Sequence, residues 1–396
     1  MKASVPNTKQ RLDAVDALRG FAILAIMLLH SIEHFNFYVF PDASLQPVWL
    51  TTLDGYIWDT LFFLFGGKGY AIFALLFGLT FSMMYRKQAK AGVDFGGRFF
   101  WRLILLVGFA IVNGAFFPGE ILSLYAMVGV VLILVRGWSS NFVLLAAFLL
   151  LLQPIELWHY VQSLIDPDYV LPVLPTGNLW RMLKEGQLSD SFFDLVKSNT
   201  LYGHKVTFYW SLQVGRTVQT AGLFVLGYWL GIKDLFVISN ASIRFWKRML
   251  VVAAIAFIPL YFLGENFAAL VETKVVVGSL GKAITMYQNL SFTFVLVSGF
   301  MLLYQYGGFR KLVGGLRYVG RMSLTAYVLQ SILGSFVFFG YGLGLGPNVR
   351  HTVSLGIGIV LWIIQFYFFK WWINKYGQGP LEKLWHRLTW IQLKKD

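Results

Sequence analysis

The sequence is divided into about ten apolar runs, each long enough to form a spanning helix, and this pattern limits the fold more than any other feature. A helix of about 20 mostly apolar residues crosses the hydrocarbon core of a bilayer. Such runs lie near 15–38, 58–85, 99–117, 119–135, 141–161, 207–232, 246–264, 283–306, 322–340 and 352–373. Apolar residues make up 57% of the chain and charged residues only 13%, against about 25% charged in a soluble domain. So much apolar surface has to face lipid. The expected fold is all-α and polytopic, a single membrane domain over 1–396 with about ten transmembrane helices.

Lys and Arg set the expected orientation, because cytoplasmic loops carry the excess of positive charge. With the N-terminus placed in the cytoplasm, 24 of the 33 Lys and Arg fall on the cytoplasmic side and seven outside. Both chain ends are then cytoplasmic, and the expected location is a bacterial inner membrane. Lys2, Lys9 and Arg11 precede the first run, but no small-residue cleavage site follows it, so the run reads as a retained span. The net charge of +14 is explained by these clusters, and no nucleic-acid partner is expected. The expected partners are membrane lipids and a small acceptor molecule, with oligomerisation left open. The absence of cysteine excludes disulfides, a thiol nucleophile and thiolate metal sites.

Three regions break the pattern. The second run contains Gly66, Gly67, Lys68 and Gly69, which reads as a broken or tilted helix. Residues 31–57 and 162–205 read as extracytoplasmic loops, the second either a connector or a lid over a substrate. The segment 374–396 is aromatic and basic and reads as a cytoplasmic interfacial helix.

Ionisable residues inside a membrane are costly and mark functional sites. The first run carries Asp13, Asp16 and Arg19 at its cytoplasmic mouth and His30, Glu33 and His34 at its far end. Asp16 and Arg19 are three apart and share a helix face. Eleven residues separate Arg19 from His30, about three turns or roughly 16 Å, which returns to nearly the same face. One face therefore offers a guanidinium suited to phosphate and an imidazole that Glu33 or His34 can orient as a general base. The structural alternatives are a topology anchor and a satisfied polar residue. Arg98 and Arg102 begin the third run and suit either donor phosphates or anchoring. Lys68, Glu120 and Arg216 fall within or beside runs, with Asp59 near Lys68. Glu120 suits either a substrate contact or the N-terminus of a helix. There is no P-loop and no HExxH metal motif.

The segments RLDAVDALRGFAILAIMLLH, GKGYAIFALLFGLTFSMMYR, PGEILSLYAMVGVVLIL, GRMSLTAYVLQSILGSFVFFGYGLGL and GQGPLEKLWHRLT resemble, in order, the YeiB-like family of bacterial membrane proteins. That family is similar in turn to the transmembrane acyltransferases, including the type 3 sugar O-acyltransferases and the lysosomal heparan glucosaminide N-acetyltransferase. The O-acyltransferases begin with Asp-x-x-Arg-Gly, an apolar run and a His, as Asp16, Arg19, Gly20 and His30 do here. The resemblance implies a ten-helix core, acyl-CoA (acetyl-CoA first) entering from the cytosol, and the His acting at the acceptor. Many YeiB-like chains resemble one another in carrying Asn at the position of His30. On this reading Asp16, Arg19, Arg98 and Arg102 hold the acyl-CoA. His30, Glu33 and His34 act on a hydroxyl or amine of an extracytoplasmic or lipid-linked acceptor, and Lys68, Glu120 and Arg216 shape its site. The alternative is a small-molecule transporter with a proton relay through His30, Glu33 and Glu120.

Overall fold

The computed structural model describes the backbone of residues 8–33, 35 and 38–391, and side chains from residue 13 onward within those ranges. Among the described residues there are helices and no strands. The first half comprises α1 (Thr8–Ile32), α2 (Val48–Phe65), α3 (Gly69–Lys90), α4 (Gly96–Phe116), α5 (Leu122–Val128), α6 (Val130–Val135), α7 (Ser140–Leu151) and α8 (Pro154–Ile165). Then come α9 (Thr176–Leu188), α10 (Phe192–Ser198), α11 (His204–Gln213), α12 (Arg216–Ile232), α13 (Asn240–Leu270) and α14 (Lys274–Leu303). The C-terminal part holds α15 (Gly307–Val313), α16 (Leu316–Arg321), α17 (Ser323–Phe338), α18 (His351–Tyr376) and α19 (Pro380–Thr389).

Among the described residues, six stretches are long and apolar enough to cross a membrane: Asp13–Ile32, Val48–Lys90, Gly96–Phe116, Asn240–Leu270, Lys274–Leu303 and His351–Tyr376. The pair α7 and α8 makes a seventh if a bend of 52° is allowed within one span. The chain is thus a multi-pass membrane-type helical protein. The other three apolar runs form shorter helices, Leu122–Val135, Arg216–Ile232 and Ser323–Phe338. At 1.5 Å per residue they are about 21–26 Å long, under the roughly 30 Å of a hydrocarbon core. They are short because joints containing glycine interrupt the runs. Gly137 and Gly215, which flank α6 and α12, both take left-handed backbone. Much of their surface is covered by other helices, although Leu134 and Phe336 stay exposed.

The second run is a broken helix. Gly66–Lys68 form a turn between α2 and α3, and Gly67 has φ of 74°. Its helix starts earlier than the hydropathy suggests: residues 48–57, expected in a loop, form the first turns of α2 behind Pro47.

Close helix crossings build the centre. A Cβ on Gly78 of α3 would lie 1.9 Å from the Phe224 carbonyl oxygen, and one on Gly227 of α12 2.0 Å from that of Leu75. Small residues at such crossings let backbones meet where lipid supplies no hydrophobic drive. Around the crossing pack Phe77, Phe81, Phe99, Tyr125, Phe224 and Tyr228. A polar knot ties the start of α2 to α18. Asp54 accepts from the Thr352 N–H at 2.7 Å and the Thr352 hydroxyl at 2.6 Å, and pairs with Arg350 at 3.0 Å.

Candidate functional site

The α1 face carrying Arg19 and His30 opens into two cavities. The larger, about 1120 Å³, receives His30 and Glu33 from the end of α1, Lys68 from the α2–α3 break and Arg216 from α12. Trp58, Trp180 and Trp210 contribute aromatic wall. Trp180 belongs to α9, so the segment 162–205 covers part of this cavity as well as connecting helices.

Each polar side chain is positioned by its element. His30 packs its ring 4.8 Å from that of Phe117. Glu33, 8% exposed, accepts from the Tyr38 hydroxyl at 3.0 Å. His34 lies outside the described residues. Lys68 precedes α3, is 5% exposed, donates to the Phe62 carbonyl at 3.4 Å and stands over the Phe292 ring. Arg216 stands over the rings of Tyr70 and Trp210, at 4.5 and 4.3 Å. Its Nε is buried without a hydrogen-bond partner. A guanidinium packed over aromatic rings keeps N–H groups at its edge for an anion. Neither carboxylate considered from the sequence supplies one. Asp59 is exposed at the cavity wall. Glu120 faces its own backbone, accepting from the N–H groups of Leu122 and Ser123 at the start of α5. Glu120 is therefore a helix cap and does not line the cavity.

The smaller cavity, about 170 Å³, receives Arg19 from α1, Arg102 from α4, Arg321 from α16 and Glu382 from α19. Arg19 pairs with Asp16 at 2.9 Å and donates to the Thr80 hydroxyl at 3.1 Å. Arg102 lies over the Trp385 ring at 4.0 Å and donates to the Thr389 hydroxyl at 3.0 Å. Its Nε is buried without a partner among the described residues. Arg98 is engaged elsewhere: it donates to the carbonyls of Thr389 and Ile391, tying down the end of α19. The pair at i, i+4 thus splits, with Arg102 at the cavity and Arg98 on the tail.

The two cavities share Tyr327 of α17, whose hydroxyl accepts from the Ile121 N–H at 3.2 Å. Beside it the Tyr125 hydroxyl donates to the Tyr70 carbonyl at 2.8 Å, and Tyr70 donates to Gln219. This tyrosine layer separates the cavities. Sequence reasoning did not single out Tyr327, although it stands in the GRMSLTAYVLQS block. It also passed over Glu382. That carboxylate accepts from the N–H groups of Leu324 and Thr325 at 2.7 and 3.0 Å and from the Thr325 hydroxyl at 2.6 Å, capping α17 from α19. Burial pushes the Glu382 carboxyl above the ordinary glutamate range, and the bonds from Thr325 and Leu324 oppose that shift.

Residues 230–392 match the family described as a protein of unknown function, DUF418. The chain also aligns almost end to end with the uncharacterized protein YeiB of Escherichia coli (strain K12), at 27% identity over 95% of each chain. It is 24% identical to the uncharacterized protein YxaH of Bacillus subtilis (strain 168), over 97% of this chain and 95% of the relative. A YeiB-like assignment is supported by the DUF418 match and by both relatives. No solved structure matches it. In this YeiB-like protein the DUF418 region supplies Arg321, Tyr327 and Glu382, whereas Arg19, His30, Lys68 and Arg216 precede it. Both cavities are built by the two parts together.

Proposed function

We propose that this protein is a membrane-embedded acyltransferase of the bacterial cytoplasmic membrane. It would move an acyl group from cytosolic acyl-CoA, acetyl-CoA first, to a hydroxyl or amine of an extracytoplasmic or lipid-linked acceptor. The observation that carries this reading is the pair of cavities meeting at Tyr327, one lined by Arg19 and the other by His30. The proposed topology counts ten spans, the three short helices and the bent pair included, with both termini cytoplasmic. The excess of Lys and Arg on the α1 N-terminal side supports it. In this orientation the small cavity faces the cytoplasm and the large one the outer side.

Each group then has a task. Arg19, oriented by Asp16, and Arg102 attract the anionic donor, and Arg321 joins them. The acceptor binds in the large cavity, its anionic part against Arg216 and Lys68. His30 takes the proton of the attacking hydroxyl or amine. The acyl carbon–sulfur bond breaks as the new carbon–oxygen or carbon–nitrogen bond forms, and the thiolate leaves towards the cytosol and takes up a proton there. Glu33 is the acid nearest His30 in sequence and shares its cavity.

End-to-end cavities also suit a transport path, and that is the second reading. The relay it needs loses support at Glu120, which is committed to capping α5. Binding of acetyl-CoA to the purified protein separates the two. Acyl transfer requires binding that Arg19→Ala weakens by about tenfold or more, the worth of a charge-assisted contact. Absence of binding at millimolar concentration would leave transport.

A further inference from the structure

On the same side as the small cavity, a third concavity of about 480 Å³ lies among α14, α15, α16 and α18. Arg310 and Lys311 reach it from α15, Arg317 from α16 and Lys370 from α18, and among the described residues Asp13 is the single carboxylate on its wall. Arg317 contacts two neighbours. Its guanidinium donates to the Tyr318 hydroxyl at 3.3 Å and stands 3.7 Å from the Asp13 carboxylate. Tyr304, 2% exposed, lines the same bowl, and its hydroxyl has no hydrogen-bond partner among the described residues.

Topology alone requires positive charge on this side of the membrane, not convergence on one hollow. A buried hydroxyl left without an acceptor is costly. Here it belongs to a residue that lines one hollow with four cations and one acid. We propose that this bowl binds an anionic phosphate ester, with Arg317 and Lys370 holding its oxygens and the Tyr304 hydroxyl donating to one of them. Guanidinium forks and ammonium groups match phosphate oxygens. Two sources share that chemistry: the nucleotide end of a soluble donor and the headgroup of an anionic phospholipid. Basic pockets between helices on the cytoplasmic side suit the latter. The site does not rest on acyl transfer and stands whether or not the neighbouring cavity takes a thioester.

The test uses the full chain in nanodiscs of phosphatidylcholine alone and of phosphatidylcholine with phosphatidylglycerol, titrated with adenosine 3′,5′-bisphosphate. Phosphatidylglycerol retained after purification is measured in parallel. The variants are Arg317→Gln with Lys370→Gln, and Tyr304→Phe, which removes only the hydroxyl and keeps the packed ring. Tyr304→Phe is expected to weaken the bound species by about tenfold, and the double variant by more. Bisphosphate binding of equal strength in both discs assigns a soluble ligand. Bisphosphate competed by phosphatidylglycerol, or phosphatidylglycerol retention alone, assigns the headgroup. If neither probe distinguishes the wild type from Tyr304→Phe and the double variant, the proposal is wrong. Loss of acetyl-CoA binding in Arg19→Ala with bisphosphate or lipid binding intact separates this site from the acyltransferase reading.

Discussion

Arg19 and His30 share one face of α1 and open into different cavities, with Tyr327 of α17 standing where those cavities meet. Three helical turns, roughly 16 Å, separate the two side chains along the helix. One rigid element thus fixes the distance between a cation at one mouth and an imidazole at the other. The hydrogen bond from Ile121 to Tyr327 holds α17 against the start of α5 at the boundary between them.

The cavity walls depend on the knot at Asp54. That carboxylate is nearly buried and joins Arg350, Thr352 and Gln46, so it fixes α2 to the start of α18. Asp54→Ala leaves Arg350 without its partner and is expected to cost about 3–5 kcal/mol. Asp54→Asn keeps an acceptor for the Thr352 N–H and should cost less. Thermal unfolding in detergent measures both. Equal melting temperatures for wild type and Asp54→Ala would remove the knot from the account.

Much of this architecture is legible in the sequence. Charge at the mouth of α1, the glycine break before α3 and the amphipathic tail all follow from local composition. Span lengths are less legible, because a run such as 322–340 carries the hydropathy of a span while its helix, α17, begins only after Met322 and is closed in by neighbours. Partners distant in sequence are not legible at all. Asp54 meets Arg350 across 296 positions and Thr325 meets Glu382 across 57. Arg98 and Arg102 show the same difficulty: their spacing places them on one face, but docking of α19 gives one to the tail and one to the cavity.

Docking of α19 should depend on pH through Glu382. Its carboxyl titrates above the ordinary range when the helix is docked and within it when the helix is free. The docked state therefore holds its proton to higher pH than the free state. The stabilisation is complete below the ordinary glutamate value, about 4.3, and is lost as pH rises through the docked value. Trypsin cleavage after Lys383 and Arg387 should accelerate, relative to cleavage of an unstructured peptide, as pH rises through that window. Glu382→Gln should flatten the dependence, and an unchanged profile in that variant would assign the effect to another group.

A chain without cysteine allows the sidedness to be read directly. Asp59→Cys places a thiol at the wall of the large cavity and Lys370→Cys one in the basic bowl. A membrane-impermeant maleimide should label Asp59→Cys in spheroplasts and Lys370→Cys only in inverted vesicles. Labelling of both from the same side would overturn the proposed topology.

The most direct measurement is acetyl-CoA binding to purified wild type, Arg19→Ala and His30→Ala in detergent. The account predicts binding that Arg19→Ala loses and His30→Ala keeps, since the imidazole acts on the acceptor from the other cavity. Equal loss in both variants would contradict the division of labour between Arg19 and His30, and no binding by the wild type at millimolar acetyl-CoA would contradict acyl transfer itself.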